Sequence, residues 1–181
     1  MIEVEKKFQP TEEQLAKLLE GAEFVKEVIN HDIYYDYPDY RMFKEDIKFR
    51  KRNNNFELKI KLTHNADREI EDEEEIKKYF NTENLVDFIE KNLLVYIDYE
   101  TLRKKYVKEG FKIDIDELNF GVNSCDIELL IDDEEDISNA EEKVMNFARQ
   151  YDLEFKDLLS KRGEYLKRFK PELFQELYGD K

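Results

Sequence analysis

Residues 2–8 have the sequence IEVEKKF, in which apolar and charged side chains alternate. In an extended chain, successive side chains point to opposite faces, so the apolar positions 2, 4 and 8 share one face. The other face carries Glu3, Glu5 and Lys7. This period of two predicts a β-strand with one apolar face and one charged face.

The same alternation recurs in residues 46–62, whose sequence is DIKFRKRNNNFELKIKL. Two alternating runs flank the three asparagines, which predicts a β-hairpin. Further strands are predicted by alternation or by tyrosine-rich composition at residues 31–37, 96–107, 110–121 and 124–131. Strands that follow one another directly favour an α+β fold with an antiparallel sheet over a doubly wound α/β fold.

Helices are predicted between and after these strands. Thr11 and Gln14 have the spacing of a capping box that opens a helix over residues 11–21. Apolar residues at helical spacing predict an amphipathic helix within residues 72–94, capped by Thr82. Ser138 is expected to cap a later helix. The tail, residues 161–179, is expected to be a turn of charged chain followed by a short helix that Pro171 opens. Because no stretch resembles a linker, we expect residues 1–181 to form a single domain.

Composition limits the partners and the compartment. The chain has 45 acidic and 30 basic residues and a net charge of −15, which disfavours nucleic acid and anionic membranes as partners. It has one cysteine, Cys125, which excludes an internal disulfide and is expected to be a buried structural thiol. With no long apolar run and no signal-peptide core, we expect a cytoplasmic protein without a membrane partner.

The charged strand faces allow two interpretations. An antiparallel sheet commonly packs its apolar face on helices and leaves its polar face in water. The signs, however, segregate along the chain, with bases concentrated in residues 48–61 and acids in residues 114–128. If the sheet closes into a barrel with these faces inward, bases and acids line a polar interior, which is costly unless the charges are paired or bind a ligand. A polyphosphate with a divalent cation satisfies both signs.

Other sites are excluded by missing motifs. The five glycines form no phosphate-binding loop, so side chains must hold any phosphate. The two histidines, His31 and His64, lack the spacing of a zinc site. Carboxylate ligands favour Mg²⁺ or Mn²⁺.

In their order along the chain, several short motifs resemble the CYTH superfamily, the triphosphate tunnel metalloenzymes, which include thiamine triphosphatases, inorganic tripolyphosphatases and class IV adenylate cyclases. The motifs are E-x-E-x-K at 3–7, YYD at 34–36, FRKR at 49–52, FELK at 56–59, TLRKKY at 101–106, IDIDELNFG at 113–121, DIE at 126–128 and SKRGEYLKRFKP at 160–171. The C-terminal YLKRFKP looks more like the thiamine triphosphatase branch than the cyclase branch.

The resemblance implies an eight-stranded antiparallel β-barrel, or tunnel, with a charged interior and helices packed outside. It implies metal binding by Glu3, Glu5, Asp114, Asp126 and Glu128. It further implies that the triphosphate is held by Lys7, Arg50, Arg52, Lys59, Arg103 and Lys161. For the catalytic general base, we consider Lys7 or Lys59 with a lowered pKa.

Three departures from the family pattern bear on the substrate. His31 stands where a basic residue is frequent, and Asp126 where glutamate is frequent. Lys48 occupies the position of a tryptophan in animal thiamine triphosphatases, and the chain has no tryptophan. Stacking on thiamine is therefore in question, which favours inorganic tripolyphosphate or a nucleoside triphosphate.

We expect a metal-dependent hydrolase that releases the terminal phosphate of thiamine triphosphate or inorganic tripolyphosphate. Two alternatives remain open at this point: a class IV adenylate cyclase that makes cyclic AMP from ATP, and a polyphosphate-binding module without catalysis. The expected partner is a small-molecule triphosphate, and the expected assembly is a monomer or homodimer.

Overall fold

The structure, a computed structural model, describes residues 1–154, 156 and 158–179. Within that part of the chain, the strands are β1 Ile2–Phe8, β2 Glu23–Asp36, β3 Ile47–Arg52, β4 Asn55–Lys61, β5 Ala66–Ile70, β6 Leu94–Lys108, β7 Phe111–Leu118 and β8 Asn123–Ile131. The helices are α1 Glu12–Leu19, α2 Arg41–Lys44, α3 Glu73–Phe80, α4 Leu85–Asn92, α5 Ile137–Arg149, α6 Lys161–Phe169 and α7 Pro171–Tyr178.

The strands form one antiparallel sheet that closes on itself. Their order in the sheet is β1–β5–β4–β3–β2–β6–β7–β8, and β8 pairs in turn with β1. Closure leaves no sheet edge along these pairings. The predicted α+β class and eight-stranded closed antiparallel sheet are therefore confirmed for the described residues.

The chain divides into two compact units. The first comprises Met1–Asn30, Leu62–Arg68 and Thr101–Leu158, and the second comprises His31–Lys61, Glu69–Glu100 and Leu159–Lys181. The expectation of a single domain over residues 1–181 stays a prediction. No helix in the described part of the chain is long and apolar enough to cross a membrane.

In the first unit, the apolar faces of the strands pack against α5. Val4 and Ile127 have no exposed surface, and they belong to one core with Val144 and Phe147 of α5. The Phe147 ring stacks on Phe111 with 4.2 Å between the ring centres. This packing turns the opposite, charged face of β1, β7 and β8 away from the helix.

The second unit repeats this design with different elements. Phe49 and Leu58, on the apolar faces of β3 and β4, pack in one core with Ile76 and Phe80 of α3. The β3–β4 hairpin turns at Asn53, which has a left-handed φ of 54°. Asparagine tolerates this conformation better than most residues, which explains why an asparagine run marks the turn.

Candidate active site

Three glutamates of the first unit form a carboxylate cluster. Glu3 and Glu5 lie on the charged face of β1, and the β1–β8 register places Glu5 opposite Glu128. One carboxylate oxygen from each lies within 4.8 Å of the other two. Glu3 is 8% exposed and Glu128 is 7% exposed, so water screens their mutual repulsion poorly. Among the described residues, these three glutamates form a group of side chains that could hold a metal ion.

The ionisation of Glu128 reflects this crowding. Burial first, and then the charge of Glu3 and a hydrogen bond with it, raise the pKa of the Glu128 carboxyl to about 8 against the opposing effect of Lys112. The Lys112 ammonium donates a hydrogen bond to Glu128 at 3.0 Å, yet it does not restore an ordinary pKa. A carboxylate held near others in this state is stabilised by a bound cation.

The donor set fits a hard divalent cation. The ligand atoms are carboxylate oxygens, which Mg²⁺ and Mn²⁺ prefer, and the cluster contains no histidine or cysteine. The cluster brings together three of the five residues expected to bind metal, Glu3, Glu5 and Glu128. The identity of the metal stays a prediction.

Asp114 and Asp126, the other two expected ligands, lie outside this cluster. The Lys7 ammonium donates a hydrogen bond to Asp126 at 2.5 Å. Asp114 lies 2.5 Å from a guanidinium nitrogen of Arg103 and 3.7 Å from the Lys105 ammonium. In the structure both aspartates therefore neutralise basic side chains, and their role as metal ligands stays a prediction.

Arg103 is the centre of this ion-pair network. Its guanidinium donates to both carboxylate oxygens of Asp116 at 2.7 and 2.6 Å. Asp116 has no exposed surface, and Arg103 is opposite it in the β6–β7 register. The fork of two parallel hydrogen bonds fixes the guanidinium plane, as a phosphate-binding group requires.

The protonation state of Lys7 bears on one expectation. Burial alone would lower the pKa of its ammonium, but Asp126 and Glu5 outweigh burial and raise the pKa above its ordinary value. Lys7 therefore remains protonated at neutral pH. The raised pKa argues against Lys7 as a general base with a lowered pKa, and that role stays a prediction, whereas its charge suits binding of a phosphate oxygen.

The second unit carries its own buried basic cluster on β2, β3 and β4. Arg52 donates to both carboxylate oxygens of Asp32 at 2.8 and 2.9 Å. Arg50 donates to Glu57 at 2.6 Å and to the Tyr34 hydroxyl at 3.0 Å. Burial would raise the pKa of the Tyr34 phenol, but Arg50 and, further away, Arg52 outweigh it and lower the pKa. The potential around Tyr34 is thus positive.

The two lysines expected in this unit have different surroundings. The Lys59 ammonium lies 3.1 Å from the carboxylate of Glu69, and its proposed role as a base stays a prediction. Lys161 is half-buried at the first position of α6. The neighbouring Arg162 is the more deeply buried of the two, at 6% exposure.

Sequence reasoning did not assign several partners in these clusters. Asp32, Glu57 and Asp116 neutralise the three arginines, and Arg162 lies beside Tyr34. Alternation was the available signal, because Asp32 and Asp116 share a strand face with Tyr34 and Asp114 respectively. Arg162 had no such signal, since its segment was expected to be a turn.

The first unit also has buried polar atoms without hydrogen-bond partners. Among the described residues these are Thr101 Oγ1, Ser124 Oγ and Asp114 Oδ1. Ser124 is opposite Asp116 in the β7–β8 register, which places it next to the Arg103 pair. Buried polar atoms of this kind usually have a water, ion or ligand as partner.

Comparison with solved structures supports the fold. The PH1819 protein of Pyrococcus horikoshii OT3 is 26% identical with a TM-score of 0.63, and the match covers 87% of this chain and 94% of that one. A candidate adenylate cyclase of Vibrio parahaemolyticus is 16% identical, with a TM-score of 0.65 over 92% of this chain and 98% of that one. HpAC1 of Hippeastrum, a candidate adenylyl cyclase with a dominant triphosphatase activity, is 15% identical, with a TM-score of 0.55 over 97% and 95% of the two chains.

Sequence comparison gives the family. A search of curated proteins found no significant match. The model of the CYTH domain matches residues 1–161, from the first glutamates of β1 to the start of α6. The resemblance drawn from the short motifs is thereby confirmed, although the thiamine triphosphatase branch in particular stays a prediction. The chain belongs to the CYTH domain family.

Proposed function

We propose that this protein is a metal-dependent hydrolase that releases the terminal phosphate of a triphosphate, with inorganic tripolyphosphate or thiamine triphosphate as substrate. The observation that carries the proposal is the cluster of Glu3, Glu5 and Glu128 beside the protonated Lys7 on one face of the first unit. A divalent cation and a polyphosphate are the complementary ligands for these two features.

The chemistry follows from charge. Phosphoryl transfer needs positioning and neutralisation of the phosphate oxygens more than it needs covalent catalysis by the protein. When bound by the glutamate cluster, a magnesium or manganese ion supplies positive charge to phosphate oxygens. Lys7 and Arg103 in the first unit add fixed positive charge, because their acidic neighbours hold them protonated and oriented.

In the second unit, Arg50 and Arg52 are proposed as phosphate-binding residues on their own surroundings. Arg50 and Arg52 are buried or half-buried and are oriented by Asp32 and Glu57. Preorganised donors of this kind stabilise charge in a transition state without the cost of rearranging them. In this proposal Lys7 does not serve as the base that activates water, so the proton acceptor is another group or the substrate itself.

The test is a phosphate-release assay with tripolyphosphate, thiamine triphosphate and ATP, each with Mg²⁺, with Mn²⁺ and with a chelator. Orthophosphate released only with a divalent cation supports the proposal. Cyclic AMP and pyrophosphate from ATP would replace it with a cyclase. Tight tripolyphosphate binding without any product would replace it with a binding module.

Glu5→Gln provides the matched variant. It keeps the size of the side chain but removes one charge of the cluster, so we expect hydrolysis to fall on the order of 10²-fold. Glu100→Gln is the control, because Glu100 is an exposed strand residue that is not a member of the cluster. Equal turnover by the Glu5→Gln variant and the wild type would contradict the assigned metal site.

A further inference from the structure

Arg162 is a buried cation near the start of α6. Its guanidinium carbon lies 5.0 Å from the centre of the Phe43 ring and 5.8 Å from the centre of the Tyr34 ring. One guanidinium nitrogen donates a hydrogen bond to the Tyr96 hydroxyl at 3.1 Å. Arginine does not lose its proton in proteins, so a full positive charge is held in place between aromatic side chains.

Among the described residues, this guanidinium has no ion-pair partner, in contrast to three other arginines that are buried or half-buried. Arg50, Arg52 and Arg103 each lie within ion-pair distance of at least one buried carboxylate. No carboxylate oxygen in the described part of the chain lies within 4.0 Å of the Arg162 nitrogens. A buried charge without an ionic partner is costly, so its retention indicates an anion that is not part of the protein.

Asp36 is an acid whose carboxyl interacts with the charge of Arg162, and it already accepts three backbone hydrogen bonds. Its two oxygens accept backbone N–H bonds from Tyr37, Met42 and Phe43. These bonds hold the chain where α2 begins. Asp36 therefore reduces the electrostatic cost of burying Arg162 without forming an ion pair with it.

The position of Arg162 in α6 adds to the positive potential. It is the second residue of a nine-residue helix whose N-cap is Ser160. The N-terminal end of a helix carries partial positive charge, which disfavours a cation there and favours an anion. The helix end and the unpaired guanidinium thus both attract negative charge to the same place.

Arg162 also joins the basic cluster of the second unit. Tyr34 connects the two, because its ring faces the Arg162 guanidinium and its hydroxyl accepts a hydrogen bond from Arg50 at 3.0 Å. The Arg50 guanidinium carbon lies 5.8 Å from the centre of the same ring. Both arginines therefore border Tyr34, and one anionic chain could contact both.

We propose that Arg162 binds the phosphate chain of the substrate and makes the site select inorganic polyphosphate over thiamine triphosphate. The inference rests on the proposed triphosphatase function and names its substrate class. It also replaces Lys161 by Arg162 as the principal phosphate-binding residue of α6.

The selectivity follows from the charges of the two substrates. Tripolyphosphate presents anionic oxygens along its whole length, so every part of it is attracted to an unpaired guanidinium. In thiamine triphosphate the phosphate chain is attached to a cationic thiazolium ring, which the same charge repels. The Tyr34 and Phe43 rings, on which such a ring could stack, already face Arg162.

The experiment compares Arg162→Met and Arg162→Lys with Lys167→Met in the full-length protein. Methionine keeps the apolar volume and removes the charge, while lysine keeps the charge and loses the planar fork. Lys167 is an exposed residue of the same helix and is the matched control. For each variant, binding of tripolyphosphate is measured by calorimetry with Ca²⁺ in place of Mg²⁺, and KM and kcat are measured for both substrates with Mg²⁺.

We expect Arg162→Met to weaken tripolyphosphate binding and raise its KM by roughly 10- to 100-fold, the usual loss for a hydrogen bond to a charged group. The KM for thiamine triphosphate should change less or fall, so that the preference for tripolyphosphate shrinks at least tenfold. Arg162→Lys should lie between the wild type and Arg162→Met, and Lys167→Met should match the wild type.

Two outcomes overturn the inference. One is an unchanged tripolyphosphate KM and affinity in a folded Arg162→Met or Arg162→Lys protein; the other is an equal change for both substrates, which indicates a purely structural role. If the wild type binds tripolyphosphate through Arg162 but releases no phosphate, the proposed catalysis fails while the Arg162 subsite stands. If Arg162→Met does not fold, the Arg162→Lys comparison decides.

Discussion

The carboxylate cluster makes a specific prediction for Glu128→Gln. The pKa of the Glu128 carboxyl is about 8 in the folded wild-type protein, compared with 4.5 for an unperturbed glutamate. Between these two pH values the folded state binds a proton that the unfolded state has lost. The free energy of unfolding of the metal-free protein must therefore decrease as the pH rises through this window.

The magnitude follows from the size of the window. Each pH unit in which one extra proton is bound by the folded state changes the free energy of unfolding by about 1.4 kcal/mol. From pH 4.5 to 8 the free energy of unfolding therefore decreases by roughly 5 kcal/mol. Above that range the folded protein has also lost the proton, and the decrease stops. Because Glu128 is buried, solvent screening reduces this value little.

The assay is urea denaturation of the wild type and Glu128→Gln between pH 5 and 9 with a chelator present. Other titrating groups contribute to both profiles, so the difference between them isolates Glu128. We expect the free energy of unfolding of the variant to rise relative to that of the wild type as the pH increases. At pH 8 the variant should be the more stable protein. Added Mg²⁺ should stabilise the wild type at pH 8 and leave the variant almost unchanged, because a bound cation offsets the repulsion only where the carboxylate exists.

Two results would refute this reasoning. Parallel pH profiles of the two proteins would show that Glu128 ionises normally and that the glutamates are not crowded. Equal stabilisation of both proteins by Mg²⁺ would show that the cation binds elsewhere. Glu100→Gln, which changes an exposed glutamate that is not part of the cluster, should follow the wild type throughout.

Three further predictions test the other parts of the molecule. Arg52→Ala should lower triphosphate hydrolysis on the order of 10²-fold while Lys51→Ala, from the opposite face of β3, should not; similar rates for both variants would argue against Arg52 as a substrate ligand. Lys7→Met should destabilise the fold by about 3–5 kcal/mol in urea denaturation, because it removes the nearer of two cations, Lys7 at 2.5 Å and Arg103 at 4.0 Å, from the buried carboxylate of Asp126. A smaller loss would indicate that Arg103 or water compensates for the lost ammonium. Phe147→Ala should cost about 3–5 kcal/mol in the same measurement through the cavity it leaves in the first core, and near-wild-type stability would show that the core collapses onto the gap.

Much of the sheet could be predicted from period and turn residues. The strands with clear alternation, such as residues 2–8 and the hairpin around Asn53, lie where the sequence predicts them. Thr11 and Gln14 form the expected capping box, and Pro171 opens the last helix. These signals are local, because each depends on side chains a few positions apart.

The errors arise where tertiary packing or backbone conformation overrides the local pattern. Residues 72–94 contain two helices, because Asn81 takes a left-handed conformation that ends α3, and Asn84 rather than Thr82 caps α4. Ser138 does not cap α5, which begins at Ile137 directly after a 3₁₀ turn. Strand β5 was missed because its five residues, ADREI, are too short and too charged to show a clear alternation.

The site was predictable as a set of faces but not as a set of contacts. Alternation places Glu5 and Glu128 on charged faces, yet only the β1–β8 register shows that they are opposite one another. For the same reason, the sequence did not predict that Arg103 on β6 is opposite Asp116 on β7. Arg162 was not assigned a role because its segment was expected to be a turn. In the structure this segment is helix α6, and the helix determines which of Lys161 and Arg162 is buried.

The charge arrangement explains how a protein with a net charge of −15 could attract a polyanion. Most of its buried arginines are already neutralised, so a phosphate chain that binds Arg50 or Arg103 competes with carboxylates that hold these side chains in place. The gain from each such contact is therefore the difference between two charged hydrogen bonds and is small. Among the described residues, Arg162 has no carboxylate within 4.0 Å to displace. In the first unit, the glutamate cluster is stabilised by a bound cation. Within the second unit, phosphate affinity should accordingly depend more on Arg162 than on Arg50 and Arg52, which mainly fix the orientation of the phosphate chain.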